Sequence, residues 1–187
     1  MTTDKIQQAD KQITQIKKWV ETVIIELNLC PFAKREFDNE TIDYQLITED
    51  DLESQLQALM KACSRLDNDY DIETSLLIFP KGLADFDDYL DFLELANQLM
   101  EKMEYEGVFQ LASFHPDYQF EGTEYEDASN FSNRSPYPVL HLLRESSLEK
   151  AIAAFPDPEN IPKRNISKLR ELGYDKMLTK LEDTFKN

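Results

Sequence analysis

The stretch Ser75-Leu-Leu-Ile-Phe-Pro80 decides the fold that we predict for this chain. It is a short apolar run, without alternation of apolar and polar residues, and a proline ends it. Such a run is typical of a strand that has helices packed on both of its faces. We therefore expect residues 75–79 to form a buried strand in the middle of a sheet, with the other elements arranged around it.

Amphipathic helices are expected on either side of this strand along the chain. Thr48 and Asp51 resemble a capping box at the start of one helix, and Asp85 is a suitable N-cap for the next. Gly107 suits the left-handed end of that second helix. A longer helix is expected over residues 5–29, where apolar side chains recur every three or four positions until a proline ends the pattern.

Two more strands are expected, one on each side of the central strand in the sequence. Residues 42–47 alternate between apolar and polar side chains, and residues 108–114 follow the second helix. Alternating helices and strands favour an α/β fold with parallel neighbours. We expect a small three- to four-stranded, mainly parallel sheet covered by helices, in which a fourth strand lies within residues 32–37 or 119–125.

The chain of 187 residues is expected to form a single domain. Residues 1–155 would form an α/β body, which includes a long irregular loop at 115–137 and a helix over 139–150. Residues 156–187 would form a helical C-terminal extension, a pair of helices packed on that body.

The charge balance excludes some classes of partner. Lys and Arg number 20 and Asp and Glu number 37, so the net charge is −17. Such a surface repels phosphate backbones and anionic lipids, so we expect no nucleic-acid partner and no membrane partner. The sequence has no secretory signal pattern, and Cys30 and Cys63 have no metal-ligand spacing, so we expect a cytoplasmic protein with reduced thiols.

The expected loop is the most unusual part of the sequence. Eight of the 20 aromatic side chains lie between Tyr105 and Tyr137, and both histidines, His115 and His141, lie near its ends. The loop contains no Lys or Arg before Arg134. An irregular segment of this length in a compact domain is frequently functional.

Arg134 is the centre of the site that we predict within residues 113–145, for a small anion such as a carboxylate or phosphate. Ser135 would cap a helix whose free amides favour an anion, and the guanidinium would add a planar fork. Further side chains would lie on one face of that helix. The substrate-binding candidates are Arg134, Ser135, Asn133, Tyr118 and the residues expected on that face, Tyr137, His141 and Arg144.

His115 and Cys30 are the catalytic candidates. His115 follows the third strand, and ligands of α/β sheets collect at the carboxyl ends of strands. An imidazole also has a pKa suited to a general acid or base. Cys30 is a candidate nucleophile, although its position after a long helix disfavours a thiolate. Whether the protein is an enzyme, and which cofactor it uses, stays open.

Other interpretations of these residues stay open as well. Arg134 and Arg144 would also fit ion pairs that hold an acidic loop in place. His115, His141 and Asp117 could together bind zinc or ferrous iron. The loop could instead be the exposed aromatic surface of a non-catalytic adaptor protein.

Several segments resemble a known bacterial family. They include Asn28-Leu-Cys-Pro-Phe-Ala33, Leu76-Leu-Ile-Phe-Pro80, Phe114-His-Pro116, Asn133-Arg-Ser-Pro-Tyr-Pro138 and His141-Leu-Leu-Arg-Glu145. Over nearly its full length the chain resembles the domain of unknown function 1415 family. The resemblance implies a bacterial cytosolic protein and carries no catalytic assignment. The family pattern has a small residue where this chain has Glu121, so we assign no role to Glu121.

Overall fold

The computed structural model describes residues 3–186, which form a four-stranded sheet and seven α-helices. The strands are β1 (Ile42–Leu46), β2 (Thr74–Ile78), β3 (Phe109–Phe114) and β4 (Val139–Arg144). The α-helices are α1 (Thr3–Trp19), α2 (Ala33–Asp38), α3 (Leu52–Asn68), α4 (Phe86–Lys102), α5 (Glu145–Ala154), α6 (Ile161–Leu172) and α7 (Tyr174–Asp183). A π-helix (Val20–Ile25) continues α1, and short 3₁₀ helices occur at Ala128–Ser132 and Pro158–Asn160.

The strands are arranged in the order β1-β2-β4-β3. β1 and β2 are parallel, whereas β4 is antiparallel to both β2 and β3. The α/β fold class is therefore confirmed, but the expectation of a mainly parallel sheet is wrong. The sheet is mixed because β4 runs against its neighbours and lies between two strands that point the same way.

The fourth strand comes from a segment that was expected to be helical. Val139–Arg144 forms β4, and only the residues that follow it continue as helix α5. Apolar residues in this segment fit either a helical or an extended period, and its place between β2 and β3 decides for the strand. Neither proposed location of the fourth strand is correct, since residues 32–37 lie in and next to α2 and residues 119–125 form no strand.

Each face of the sheet is covered by a separate layer of helices. On the first face, Leu76 and Val139 pack with side chains of α1, the π-helix, α6 and α7. On the second face, Leu77, Phe79 and Leu140 pack with side chains of α3 and α4. β2 is buried along its whole length, as the apolar run at residues 75–79 predicts.

The expected long first helix changes character after Trp19. In the π-helix, hydrogen bonds span five residues, as in the 3.0 Å bond from the Glu26 amide to the Glu21 carbonyl. The helical segment ends in a turn where Asn28 has a φ of 49°, in the left-handed region. Lys180 of α7 donates to the Thr22 carbonyl, so the C-terminal helices pack against this irregular segment.

At the last residue pair of β3 and β4, Phe114 and Val139, a side-chain hydroxyl lies between the two backbone groups. The Phe114 amide donates to Tyr89 Oη at 3.1 Å, and Tyr89 Oη donates to the Val139 carbonyl at 2.7 Å. Tyr89 belongs to α4 and is fully buried. It therefore joins the helix to both strands where the loop begins and ends.

The C-terminal helices pack against the loop as well as the sheet. Leu169 of α6 and Met177 of α7 are buried in the first core, and Arg170 forms an ion pair with Asp127 of the loop at 2.6 Å. None of the helices within residues 3–186 is both long enough and apolar enough to cross a membrane.

Candidate functional site

The loop between β3 and β4 is ordered by its own side chains. The Asn130 side-chain oxygen accepts hydrogen bonds from the Phe120 amide and the Thr123 hydroxyl, at 3.1 and 2.9 Å. Its side-chain nitrogen donates to the Glu124 carbonyl at 2.9 Å. Asp127 caps the following 3₁₀ helix by accepting from the Ser129 amide. The loop is thus a compact folded unit built around a buried asparagine.

Arg134 lies inside this unit and is only 2% exposed. Its Nε donates to the Tyr118 carbonyl at 3.0 Å, and Nη2 donates to the Tyr125 carbonyl at 2.8 Å. The Arg134 carbonyl accepts from the indole of Trp19 at 3.0 Å. Arg134 therefore connects two positions of the loop, Tyr118 and Tyr125, to the end of α1.

Aromatic rings surround the guanidinium of Arg134. Its central carbon lies 4.2 Å from the ring centre of Tyr125, 4.9 Å from that of Phe131 and 5.7 Å from that of Tyr174. Within residues 3–186 no carboxylate forms a salt bridge with it. The suggested ion pairs of Arg134 with loop acids are therefore absent from the described chain, and carbonyls and rings take their place.

The segment after Arg134 does not start a helix, so the predicted capping role of Ser135 is wrong. Ser135 is fully buried, and its hydroxyl donates to the Tyr137 carbonyl at 2.6 Å. The Tyr137 hydroxyl donates to Gln15 of α1 at 2.6 Å. The Asn133 side chain donates to the Ser113 carbonyl at 3.0 Å. Asn133 and Tyr137 thus hold the loop against the sheet and α1, whereas the Ser135 hydroxyl bonds within the loop.

His115 is fully buried against α4, on the second face of the sheet. Its Nδ1 accepts from the Asp117 amide at 3.1 Å, so the proton lies on Nε2, which donates to the Leu83 carbonyl at 3.0 Å. Burial lowers the pKa of His115 below its usual 6.5. The imidazole is neutral, and both of its nitrogens are occupied.

His141 lies in β4 and faces the opposite side of the sheet. The Thr74 hydroxyl donates to the Leu142 carbonyl at 2.6 Å, so it accepts from His141 Nε2, which lies 2.7 Å away. Burial lowers the pKa of His141 to about 4. The ring also packs on Phe114, with 6.3 Å between ring centres.

Arg144 and His141 do not share a face, because a strand alternates its side chains. Arg144 points to the second face and donates to the carbonyls of Leu66, Asp69 and Ile72. These carbonyls belong to the end of α3 and the turn after it. Arg144 therefore binds the C-terminal end of α3 through backbone carbonyls. It forms no ion pair in the described part of the chain.

The two remaining candidates lie apart from each other. The Tyr118 ring packs on Phe86 of α4, with 5.3 Å between ring centres, while the Tyr118 carbonyl binds Arg134. Cys30 is half-buried in the turn before α2, and burial raises the pKa of its thiol. A protonated thiol in this position is a weak nucleophile.

The structure does not bring His115, His141 and Arg134 into one site, since the sheet separates the two imidazoles. Within residues 3–186, no three His, Cys, Asp or Glu side chains are grouped as metal ligands, so the metal set with Asp117 is not assembled. Sequence reasoning missed Tyr125, Tyr174 and Trp19, which define the surroundings of Arg134. Trp19 and Tyr174 come from distant parts of the chain, and Tyr125 lies in the same irregular loop as Arg134, so no periodic pattern links any of the three to Arg134.

Comparison with known proteins gives a family and no further relative. No curated protein and no solved structure matches the chain. A family model described as "Protein of unknown function (DUF1415)" matches residues 11–179, and the chain belongs to this family.

Proposed function

We propose that the protein binds a small anion, a carboxylate or a phosphate, at the guanidinium of Arg134. The arrangement supports binding rather than catalysis there. His115 has no free nitrogen, and His141 lies on the other face of the sheet from His115. The rings of Tyr125, Phe131 and Tyr174 form the surroundings of the Arg134 guanidinium.

The missing counter-ion of Arg134 is the observation that carries this proposal. The chain has 37 Asp and Glu residues, yet none within residues 3–186 pairs with this buried cation. A buried charge without an opposite charge is costly in free energy. Two of the five N–H groups of Arg134 donate to carbonyls, so the others are available to an anion.

We expect the Tyr125 side chain to move when an anion binds to Arg134. Its side chain is 46% exposed, although its ring lies against the guanidinium. A single hydrogen bond of 2.7 Å to Asp117 holds its hydroxyl. Tyr174, on another side, borders a shallow hollow of about 470 Å³ that Glu126 and Lys176 also line. An anion would enter from the side of these two tyrosines.

The adaptor interpretation has less support from the geometry. Phe131 is buried, and Tyr118, Phe120 and Tyr137 are half-buried, so Tyr125 is the exposed aromatic side chain of the loop. The aromatic residues of this segment thus mainly form its own core. A flat exposed aromatic patch, which an adaptor surface of this kind would need, is not formed by them.

Thermal unfolding with sodium phosphate or sodium acetate, compared with sodium chloride of equal ionic strength, tests the proposal. A ligand at about 100 times its Kd stabilises the folded state by about 2.7 kcal/mol. For a chain of this size, that corresponds to a rise in Tm of about 5–10 °C. The chloride series removes the general effect of salt on a chain with a net charge of −17.

Two arginine variants separate the proposed site from other effects. Arg134→Met should abolish the anion-specific rise in Tm, whereas Arg144→Met, which also removes a carbonyl-bound guanidinium, should keep it. If Arg134→Met does not fold, the NMR signal of the Arg134 Nε–H in the unmodified protein should shift on addition of phosphate or acetate. An equal response in both variants, or an unshifted Arg134 signal, would contradict the proposal.

A further inference from the structure

We propose that the ligand of the Arg134 site is an amino carboxylate. Its carboxylate would bind the guanidinium, and its ammonium group, several bonds away, would lie among the acidic side chains at the entrance of the site. This inference rests on the proposed function and narrows its class of ligand. It follows from the charges around Tyr125 and Tyr174, the two tyrosines whose rings border the guanidinium.

The hollow beside Tyr174 gives room for a ligand that is longer than a simple anion. It has a volume of about 470 Å³, and Tyr174 is part of its lining. The ring centre of the same tyrosine lies 5.7 Å from the central carbon of the Arg134 guanidinium. One side chain thus borders both the buried cation and an open hollow. A ligand with one end on Arg134 would pass beside Tyr174 and place its other end in the hollow.

Charged side chains line this hollow, and acidic ones outnumber basic ones. Glu126 and Asp175 contribute two carboxylates, and Lys176 contributes one ammonium group. All three side chains are exposed, and none of them forms a salt bridge within residues 3–186. They are therefore available to the charged groups of a ligand.

Another carboxylate lies on the side of Tyr125. Asp117 accepts a hydrogen bond of 2.7 Å from the Tyr125 hydroxyl, so the entrance has three carboxylates, Asp117, Glu126 and Asp175, and one ammonium group, Lys176. The first turn of α7 also borders the hollow, and the partial charge at a helix N-terminus is about half a unit charge. This partial charge is too small to reverse the sign, so a negative entrance lies in front of the positive guanidinium.

This arrangement of charges favours a ligand that has both signs. A plain carboxylate is attracted by Arg134 and repelled by the carboxylates of the entrance, and a phosphate, with more negative charge, is repelled more strongly. An ammonium group on the ligand replaces this repulsion by attraction. One exposed ion pair changes an affinity by about twofold to fivefold. We therefore expect an amino carboxylate to bind at least about twofold more tightly than the same carboxylate without the amine.

The position of the Tyr174 ring determines the spacing between the two ends of the ligand. The ring lies between the guanidinium and the hollow, so an α-amino acid, whose ammonium group is next to its carboxylate, is too short to reach both. A longer ligand needs an aliphatic stem, and Tyr174 and Leu172 provide apolar surface beside it. We therefore expect ω-amino carboxylates to bind more tightly than α-amino acids.

Titration of the full, unmodified chain with matched pairs of compounds tests this inference. The NMR signal of the Arg134 Nε–H reports on the guanidinium and gives a Kd for each compound. The pairs are ε-aminohexanoate with hexanoate, γ-aminobutyrate with butyrate, and glycine with acetate, and hexylamine is the control for an ammonium group alone. We expect the amine to lower the Kd at least about twofold in the two longer pairs and less in the shortest pair. Hexylamine should leave the signal unshifted, and high salt should reduce the preference.

A variant of the hollow separates an electrostatic contact from a general loss of structure. Glu126→Gln should weaken the binding of ε-aminohexanoate and strengthen the binding of hexanoate, because the lost charge attracts one compound and repels the other. Lys176→Gln should have the opposite effect on both compounds. Asp91→Asn removes a negative charge from α4, on the other face of the sheet, and should leave the ratio of the two Kd values unchanged.

The outcomes distinguish this inference from the proposed function on which it rests. If neither hexanoate nor ε-aminohexanoate shifts the Arg134 signal, the anion site itself is wrong, and the amino-carboxylate assignment with it. If hexanoate and butyrate bind and their amino counterparts bind no more tightly, the anion site stands and only this assignment is overturned. The assignment is also overturned if Glu126→Gln leaves the ratio of the two Kd values unchanged.

Discussion

The Tyr89 hydroxyl links helix α4 to strands β3 and β4 through two hydrogen bonds. Tyr89→Phe removes it and leaves the shape of the fully buried ring unchanged. The Phe114 amide and the Val139 carbonyl, now 3.1 and 2.7 Å from that oxygen, would both lose a partner. Each of two unsatisfied buried groups costs about 1–3 kcal/mol, so we expect Tyr89→Phe to lower the free energy of unfolding by about 2–6 kcal/mol.

Urea denaturation measures this change, and an unaltered m-value would show that the folded state stays equally compact. Tyr118→Phe is the matched control, because the Tyr118 hydroxyl has no hydrogen-bond partner in the described chain. We expect the control to change stability by less than about 0.5 kcal/mol. A loss below about 1 kcal/mol for Tyr89→Phe would refute the reasoning. It would mean that Phe114 and Val139 close the gap and bond directly.

Three further predictions concern the loops and the titratable groups. Gly82→Ala should destabilise by at least about 2 kcal/mol in urea denaturation, because Gly82 has a φ of +82° and an added methyl would lie 2.8 Å from a side-chain nitrogen and 2.9 Å from a backbone oxygen. Gly122→Ala, also at positive φ but in open space, should cost clearly less. Burial lowers the pKa of His115 and of His141, so unfolding takes up protons and the free energy of unfolding should fall as the pH drops below 6.5 toward 4. Denaturation across this pH range measures that fall. His141→Gln should reduce the slope of the free energy of unfolding against pH. Arg170 holds the pKa of Asp127 below its usual 3.8, so the stability advantage of the unmodified protein over Asp127→Asn should be complete above pH 3.8 and shrink below it; equal differences at all pH values would contradict this.

The local sequence pattern was sufficient to predict most of the helices and three of the strands. Helices α3 and α4 form as predicted, and Asp85 is the N-cap of α4 as expected. The N-cap of α3 is Asp51, so the capping box that would start this helix at Thr48 is wrong. The apolar run at residues 75–79 overlaps the buried β2. These elements follow from periodicity and capping, which depend on neighbours in the sequence. They specify an α/β fold, which the structure confirms.

The site could be predicted only in part, because its residues acquire their roles through distant contacts. Arg134 was identified as unusual, and it is a buried cation without a carboxylate partner in the described chain. The helix expected after it was wrong, and with it the shared face of His141 and Arg144. Trp19 and Tyr174, far from Arg134 in sequence, contribute the contacts that no spacing rule could supply.

The sequence alone determined where the chain is apolar, that helices flank the central strand along the chain, and that a long aromatic loop precedes a single arginine. The tertiary structure decided the direction of β4, because a segment with an ambiguous period takes the form that satisfies the unpaired edges of its neighbours. It also decided on which face of the sheet each histidine lies. The register and direction of the strands determine the face of each histidine, and they depend on all four strands together.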